Sequence, residues 1–336
     1  MKVLVIRFSS IGDIVLTTPV VRCIKNQIPN VQVHYLTKYS FKAVTEYNPY
    51  VDQFFYYKNS IAELIRELKK EKYDYVVDLH KNFRSYRIRM SLQTRVLTYK
   101  KESIRKFLLT RFRINIMRER HIVLRNLDAV RRLGVTDDGG GLDYFISQKE
   151  QLKNSDIPAS HSMGYVAFVI GGSYFTKKLP IIKMKEICRE LKYPLILIGD
   201  TDDAIEGSVI AEVDPVKIYN ACGKFTINES ADIVRNAKLV ISHDTGLQYI
   251  ASAFNKTTIA IWGGTSPRLD VEPFYGERFL SRQTQLPYEN VIVDTLSCQP
   301  CSNFGLAKCP LGHFRCMRDQ DVLKIVAIAH NRLNIK

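Results

Sequence analysis

The sequence contains no run of about 18 apolar residues, the length a helix needs to cross a bilayer. The first ten residues also lack the uninterrupted apolar stretch of a signal peptide, because Arg7 interrupts it. Neither half opens with the G-x-G-x-x-G turn of dinucleotide-binding dehydrogenases. These absences predict a cytoplasmic protein whose seven cysteines are mostly reduced, and they argue against a dehydrogenase.

Internal repeats, low-complexity tracts and recognisable nucleic-acid-binding modules are absent as well. A chain of 336 residues, 46% apolar and 25% charged, has material for two globular domains. The polar residues 147–163 are the best candidate for a linker. We therefore predict one domain over residues 1–155, a second over residues 160–317, and a C-terminal helix over residues 318–336 that could pack back on the first domain.

Positive charge is concentrated in the first half. Residues 1–155 hold 29 Lys and Arg against 15 Asp and Glu, whereas residues 156–336 hold 20 against 19. Residues 81–132 alone hold 16 basic and 3 acidic side chains, and arginine, which suits bidentate contacts to phosphate or carboxylate, is the more frequent cation there. This asymmetry indicates that the first half meets an anionic partner, while a solvated, solubilising surface is the alternative.

Short apolar runs alternate with segments of helical periodicity, which predicts α/β domains with parallel, doubly wound sheets. In the first half a predicted strand at residues 3–6 leads through a polar loop to a helix at residues 14–24, with Asp13 at or next to its N-cap. The second half restarts the same alternation at residue 165. We expect the two sheets to face each other across a cleft.

Residues 238–264 form the most informative stretch of the second half. An apolar strand, the tight turn His243-Asp244-Thr245-Gly246, a helix and another strand follow one another. The free N–H groups and the dipole at the start of such a helix suit a diphosphate. The alternative is a βα corner that binds nothing.

Three segments together resemble glycosyltransferase family 9, the ADP-heptose:lipopolysaccharide heptosyltransferases: RFSSIGDIVLTTPVVRCIK, ISHDTGLQYIASAF with IWGGTSP, and CQPC followed by CP-LGHFRCM. The likeness extends from Val3 to about Met317. It implies the GT-B architecture of two Rossmann-like domains, the first binding the acceptor and the second the nucleotide sugar. The implied activity is inverting transfer of heptose from ADP-heptose to the inner core of a lipopolysaccharide in a Gram-negative bacterium, with no cofactor required.

The resemblance places the catalytic aspartate in the S-S-x-G-D loop, which here gives Asp13. Asp13 would deprotonate an acceptor hydroxyl; a capping role is the alternative, although the two are compatible. Ser10 and Gly12 of the same loop are candidate acceptor-binding residues, as are Arg84 and Arg87 of the basic segment.

The candidate donor-binding residues, matched to the same family, lie in the second half. Tyr249 stands where the family usually has a histidine, and Asp203 where relatives often have a glutamate that meets the ribose. Lys177 is expected to neutralise the leaving diphosphate, and the choice between it and the adjacent Lys178 stays open. The full set is Gly172, Ser173, Lys177, Asp203, Asp244, Thr245, Gly246 and Tyr249.

Four late cysteines, Cys298, Cys301, Cys309 and Cys316, begin with a C-x-x-C pair. They could close a structural zinc site, although their spacing fits no standard zinc module. Buried thiols or a labile disulfide are the alternatives.

The implied partners are an ADP-sugar donor, a lipid-linked core saccharide and the anionic inner face of the cytoplasmic membrane, without nucleic acid. Residues 104–116 mix aromatic and aliphatic side chains with arginines and are the candidate for peripheral membrane contact. Two alternatives remain: a family relative that uses another nucleotide sugar or glycolipid acceptor, and a basic, non-catalytic nucleic-acid-binding protein, for which tight, steeply salt-dependent DNA binding would be diagnostic.

Overall fold

The computed structural model describes residues 1–153 and 155–335. The chain forms two compact units. Unit 1 contains Met1–Lys101, Arg120–Phe145 and Gly276–Phe279, and unit 2 contains Glu102–Glu119, Ile146–Tyr275 and Leu280–Lys336.

Two short segments therefore belong to a different unit from the domain in which the predicted boundaries place them. The segment Glu102–Glu119 belongs to unit 2, where the Nη1 atom of Arg113 donates to the Pro300 carbonyl over 2.6 Å. The segment Gly276–Phe279 belongs to unit 1, where the Arg278 amide donates to the Gly139 carbonyl over 3.0 Å. Contacts between residues distant in sequence decide both assignments.

Each unit is built on a parallel sheet. The first sheet has the order β3-β2-β1-β4-β5 and the second the order β11-β10-β9-β6-β7-β8. All strand pairs are parallel, as the alternating pattern predicts. The strands are β1 Lys2–Ile6, β2 Gln32–Lys38, β3 Gln53–Tyr57, β4 Tyr75–Asp78, β5 Arg95–Thr98, β6 Val166–Val169, β7 Leu195–Ile198, β8 Ile218–Asn220, β9 Leu239–His243, β10 Thr258–Ile261 and β11 Tyr288–Val291.

Helices connect the strands. In the first part of the chain they are α1 Ile11–Val15, α2 Thr18–Gln27, α3 Lys42–Thr45, α4 Ile61–Lys70, α5 Phe83–Leu92, α6 Ser103–Phe107 and α7 Ile122–Asp128. In the rest they are α8 Ile181–Glu190, α9 Ala204–Ala211, α10 Ile227–Asn236, α11 Gly246–Ala253, α12 Glu277–Leu280, α13 Arg315–Arg318 and α14 Val322–Leu333. No helix among the described residues has the length and apolar character to cross a membrane.

The central strands are buried on both faces, which explains their continuous apolar runs. In unit 1, Val3–Ile6 of β1 is fully buried, and in unit 2 β6 and β9 are equally inaccessible. Strands β1 and β9 each end at the edge of their sheet where a loop of the candidate site begins.

Helix α14 packs on α8 and contributes Val322, Ile325, Val326 and Ala329 to the core of unit 2. The apolar face of α14 is thus used within unit 2, and the packing of this helix against the first domain stays a prediction.

One predicted helix is two in the structure. Residues 14–24 were expected to be continuous, but α1 ends at Val15 and α2 begins at Thr18 with Pro19 in its first turn. Proline has no N–H to donate to the preceding turn, so a new helix starts there.

Candidate active site

Asp13 lies in the first turn of α1, directly after β1. Its Oδ2 atom accepts hydrogen bonds from the Ser10 amide (3.2 Å) and from the Ser10 hydroxyl (3.0 Å). Its Oδ1 atom lies 2.7 Å from Nη2 of Arg7, and the carboxylate is partly exposed. Asp13 therefore stabilises the helix start and also presents an ionised carboxylate.

Arg7 holds this loop in place from the end of β1. Its Nε atom donates to the Ser9 carbonyl (2.9 Å) and its Nη1 atom to the Leu79 carbonyl (2.5 Å), after β4. Burial alone would raise the pKa of Asp13, but the charge of Arg7 and the hydrogen bonds from Ser10 together lower it. Asp13 is thus a carboxylate at neutral pH.

Lys101 is a further cation within electrostatic reach of Asp13, and Lys81 lies beside it. Lys81 donates to the Tyr99 carbonyl (3.0 Å) and Lys101 to the Lys81 carbonyl (3.2 Å). Burial lowers the pKa of Lys101, and repulsion from Arg7 and Lys81 lowers it further. An anion bound nearby would offset this repulsion and stabilise the charged form of Lys101. The neighbourhood of Asp13 therefore suits an anionic group of the acceptor.

His80 lies next to this cluster, with its ring edge-on to Phe8 at a centroid distance of 5.5 Å. Burial and the charge of Arg7 lower the pKa of His80 to about 4, which keeps the imidazole neutral. Arg7 and His80 were missed from the sequence. The signal available for Arg7 was a lone cation at the end of a buried apolar strand.

Arg84 stacks on two aromatic rings, with its guanidinium carbon 4.6 Å from the Tyr57 ring centre and 5.5 Å from that of Phe8. It lines a pocket of about 360 Å³ together with Tyr57, Ile61, Asn82, Phe83 and Arg87. The structure thus brings the two predicted acceptor-side arginines to one pocket.

The donor-side turn is anchored through Asp244 in unit 2. Its Oδ2 atom lies 2.7 Å from Nζ of Lys177 and accepts a hydrogen bond from the Thr265 hydroxyl over 2.8 Å. Lys177 also donates to the Asp244 carbonyl over 3.0 Å. Lys177 and Thr265 therefore fix the turn that precedes α11.

The start of α11 is open. Thr245 is the N-cap residue, but its side chain makes no capping hydrogen bond, whereas Thr226 caps α10 by accepting from the Glu229 amide over 3.3 Å. Thr245 and Gly246 are both partly exposed. A helix start without a side-chain cap, next to a lysine, is suited to a phosphate group.

Lys178 takes a different position from Lys177. Its Nζ atom lies 2.6 Å from Oδ1 of Asp203 and 3.0 Å from Oε2 of Glu206. Asp203 also accepts from the Asp200 amide over 3.0 Å in a capping arrangement. The two lysines thus serve separate loops, and Asp203 is tied to Lys178.

The loop after β6 approaches these groups closely. A Cβ atom added to Gly172 would lie 3.2 Å from Cγ of Lys178 and 3.8 Å from Cγ2 of Thr245. The adjacent Ser173 is exposed. Gly172 therefore lies beside the donor turn, and the donor contacts of Gly172 and Ser173 stay a prediction.

His243 holds the segment after this loop in place, and it was not identified from the sequence as a functional residue. It is fully buried at the end of β9, and its Nε2 atom accepts a hydrogen bond from the Leu179 amide over 3.1 Å. Burial lowers its pKa to about 4, so the ring is neutral and Nε2 is free to accept. His243 connects the donor turn to the segment that carries Lys177 and Lys178.

The hydroxyl of Tyr249 forms hydrogen bonds within the protein. It donates to the Val271 carbonyl over 2.7 Å and lies 3.4 Å from Oδ1 of Asp244. The side chain is buried. Tyr249 thus reaches the donor turn through Asp244, and its predicted contact with the donor stays a prediction.

The four late cysteines lie near one another, since burial and then the charges of the other three raise the pKa of Cys316, but no three of their sulfur atoms lie within 4.8 Å of one another. Among the described residues, the thiol or carboxylate atoms of Cys23, Asp137 and Asp138 are the one group of three or more within 4.8 Å of one another. Arg22 occupies the Asp138 carboxylate, and burial raises the pKa of Cys23 to about 11, so this group does not favour a metal either. Cys298 instead has its Sγ atom 3.8 Å from Nε2 of His313. The zinc site stays a prediction that metal analysis of the purified protein would test.

A family model for glycosyltransferase family 9 (heptosyltransferase) matches residues 61–277, more than half of the chain. The chain belongs to glycosyltransferase family 9. It is therefore a glycosyltransferase, and the resemblance recognised in its motifs is confirmed. The matched range begins after the Asp13 loop, so the role of that loop depends on its own motif and geometry.

Two curated heptosyltransferases match this chain over most of their own length. The protein is 22% identical over 332 residues to lipopolysaccharide heptosyltransferase 1 of Pseudomonas aeruginosa, covering 89% of this chain and 88% of that one. It is 21% identical over 292 residues to lipopolysaccharide heptosyltransferase 1 of Campylobacter coli, covering 79% and 84%.

Solved structures show the same fold. A family 9 glycosyltransferase from Veillonella parvula matches with a TM-score of 0.76 at 20% identity, covering 99% of this chain and 97% of that one. The E. coli ADP-heptose lipopolysaccharide heptosyltransferase II matches with a TM-score of 0.71 at 16% identity, covering 99% and 98%. The predicted two-domain α/β fold of the GT-B class is confirmed.

Proposed function

We propose that this glycosyltransferase transfers heptose, with inversion, from ADP-heptose to a lipid-linked lipopolysaccharide inner-core acceptor. The reaction would take place at the inner face of the cytoplasmic membrane. Family membership supports the transfer, and the names of the relatives support the choice of sugar and acceptor.

The observation that carries the donor side is the open N-terminus of α11 beside Lys177 and Gly172. Its N–H groups and the lysine would bind the diphosphate and stabilise the negative charge that develops on ADP as it leaves. Because this positive charge would come from the protein, we expect the step to need no metal.

On the acceptor side, the cations around Asp13 would hold an anionic group of the acceptor saccharide. Asp13 would accept the proton of an acceptor hydroxyl, and that oxygen would form a bond to the anomeric carbon. The bond from this carbon to the β-phosphate oxygen would break, and ADP would leave with its electron pair.

Replacing Asp13 by asparagine tests the assignment. We expect D13N to lower kcat by about 100-fold or more, because the amide cannot accept the proton, with the Kd for ADP-heptose unchanged. Steady-state kinetics and titration calorimetry would measure the two quantities. The matched control is Asp52→Asn, because Asp52 is also partly exposed in unit 1 and pairs with Lys25 at 2.7 Å. Turnover by D13N at the wild-type rate would reduce Asp13 to a helix cap.

The donor itself needs a separate test, since Asp203 and Tyr249 depart from the usual family pattern. Thermal shifts with ADP, UDP and GDP, followed by turnover with ADP-heptose and ADP-glucose, would rank the donors. We expect ADP and ADP-heptose to rank first. A preference for UDP or GDP would replace ADP-heptose by another nucleotide sugar while leaving the transfer reaction in place.

A further inference from the structure

Residues 103–118, here called the apolar-basic segment, expose large apolar side chains at unusual density. Ile104, Phe107, Phe112, Ile114 and Ile116 are each between 49% and 77% exposed. Single exposed apolar residues are normal on protein surfaces, but a contiguous set indicates an interaction site.

The segment is held to unit 2 at defined points. Leu109 is buried, and the Nη1 atom of Arg113 donates to the Pro300 carbonyl over 2.6 Å. The rings of Phe107 and Phe112 contact each other edge-on, with centroids 5.8 Å apart. The exposed side chains are therefore displayed from an anchored backbone.

The charge on the segment has one sign. It carries Arg105, Lys106, Arg111, Arg113 and Arg118, and no acidic residue. The preceding Glu102 is nearly buried, and its carboxylate lies 2.5 Å from Nη1 of Arg105 and 3.7 Å from Nε of Arg118. The Glu102 carboxylate thus pairs with arginines near both ends of the segment.

We infer that the apolar-basic segment docks the protein on an anionic lipid bilayer, with its aromatic and aliphatic side chains in the headgroup layer and its arginines on lipid phosphates. Interfacial segments combine these two features, because apolar burial and charge attraction add. Long arginine side chains can keep their charge at the phosphates while their stems cover apolar surface.

The composition favours lipid over nucleic acid. Three of the five exposed side chains are isoleucines, which have no aromatic face on which a base could stack. The inference rests on the proposed function only for the membrane at which the acceptor is met, and not for the donor or the sugar.

Vesicle binding by the full chain tests the inference. The segment variant is Ile104→Ser, Phe107→Ser and Phe112→Ser; the control variant is Met163→Ser, Val216→Ser and Leu323→Ser, three side chains of unit 2 that are between 69% and 90% exposed. Sedimentation with vesicles of phosphatidylcholine and about 30% phosphatidylglycerol, at about 0.15 M salt, would give partition coefficients. We expect about a tenfold or larger loss for the segment variant and none for the control.

A fluorescent reporter separates insertion from adsorption. The chain has one tryptophan, Trp262, which is fully buried, so Phe112→Trp adds the only indole near the surface. We expect its emission to shift to the blue on anionic vesicles and to be quenched by brominated lipid. The inference falls if the wild type does not bind anionic vesicles, if the segment and control variants bind alike, or if brominated lipid leaves the emission unchanged.

The vesicles contain neither donor nor acceptor, so they do not test the transfer reaction. Transfer to a water-soluble acceptor would be measured in parallel and should be the same for both variants. Loss of vesicle binding with intact transfer confirms the docking role, while transfer that fails in the wild type with intact vesicle binding overturns only the proposed function.

Discussion

At the residue scale, the contact between Arg7 and Asp13 sets the charge of the candidate base. The guanidinium keeps the carboxylate ionised, and its bonds to the carbonyls of Ser9 and Leu79 keep the loop against the sheet edge. Asp13 and Arg7 would therefore function as a pair. Asp13 would take the proton, and Arg7 would keep the Asp13 carboxylate ionised so that it can do so.

We expect Arg7→Gln to move the acidic limb of the kcat/KM profile to higher pH. Burial raises the pKa of Asp13 and Arg7 lowers it, so removing the cation leaves the raising effect and the carboxylate protonates at higher pH. Activity would be measured from about pH 4 to about pH 8. Arg7→Lys, which keeps the charge, should leave the limb in place. An unmoved limb in R7Q would show that Asp13 does not titrate in the reaction.

The two adjacent lysines should separate in their kinetics. Lys177→Ala removes the contacts to the carboxylate and the carbonyl of Asp244, so we expect the Kd for ADP to rise about tenfold or more and kcat to fall. Lys178→Ala frees Asp203 and Glu206, and we expect a smaller effect, mainly on KM. Calorimetry with ADP and steady-state kinetics would decide. A larger effect from Lys178 would transfer the phosphate contact to that residue.

At the scale of elements, the donor site depends on how β9, α11 and the loop after β6 meet. His243 at the end of β9 accepts from the Leu179 amide, and Lys177 returns from the same loop to the turn before α11. The turn is thus fixed from both sides by residues 64 and 67 positions away in sequence.

His243→Leu should therefore impair both stability and donor binding. The Leu179 amide loses its acceptor inside the protein, which costs about 1–3 kcal/mol, and the loop with Lys177 is released. We expect a lower Tm and a higher KM for the donor. The control is His161→Leu, because His161 is also buried in unit 2 and its Nε2 atom contacts the Leu195 carbonyl at 3.0 Å. H161L should lower Tm alone; an unchanged KM in H243L would limit His243 to stability.

Sequence patterns located the elements whose signal is local. The buried strands β1 and β9, the turn before α11 and the loop with Asp13 all follow from periodicity and motif. Strand β5 was not predicted, because an edge strand that contains Arg95 and Thr98 has too few apolar residues to show a strand pattern. The roles of Arg7 and His243 escaped too, since both depend on partners far away in sequence.

At the scale of the whole molecule, buried neutral histidines set part of the response to acid. Burial lowers the pKa of His243 from 6.5 to about 4. As the pH falls, the unfolded chain therefore binds a proton at this histidine at a higher pH than the folded chain does. This contribution to the free energy of unfolding is fully present above pH 6.5 and is lost as the pH falls toward 4. Over that window it amounts to roughly 3 kcal/mol.

We expect the Tm of the wild type to fall between about pH 6.5 and about pH 4, and H243L to show a shallower fall. The Asp138 carboxylate acts in a lower window, because its contact with Arg22 lowers its pKa to about 2. Scanning calorimetry across the pH range would separate the two windows. Parallel slopes for the wild type and the variant would exclude His243 as the source.

The path of the chain has a consequence for synthesis. Unit 1 receives its last piece at Gly276–Phe279, where an added Cβ on Gly276 would lie 2.2 Å from the Gly141 amide nitrogen. On the ribosome, the N-terminal unit is therefore incomplete until most of its companion has been translated. A cloned fragment that stopped at residue 155 would carry Glu102–Glu119 without the unit that anchors it, so the boundary read from composition would not be a usable place to cut the gene.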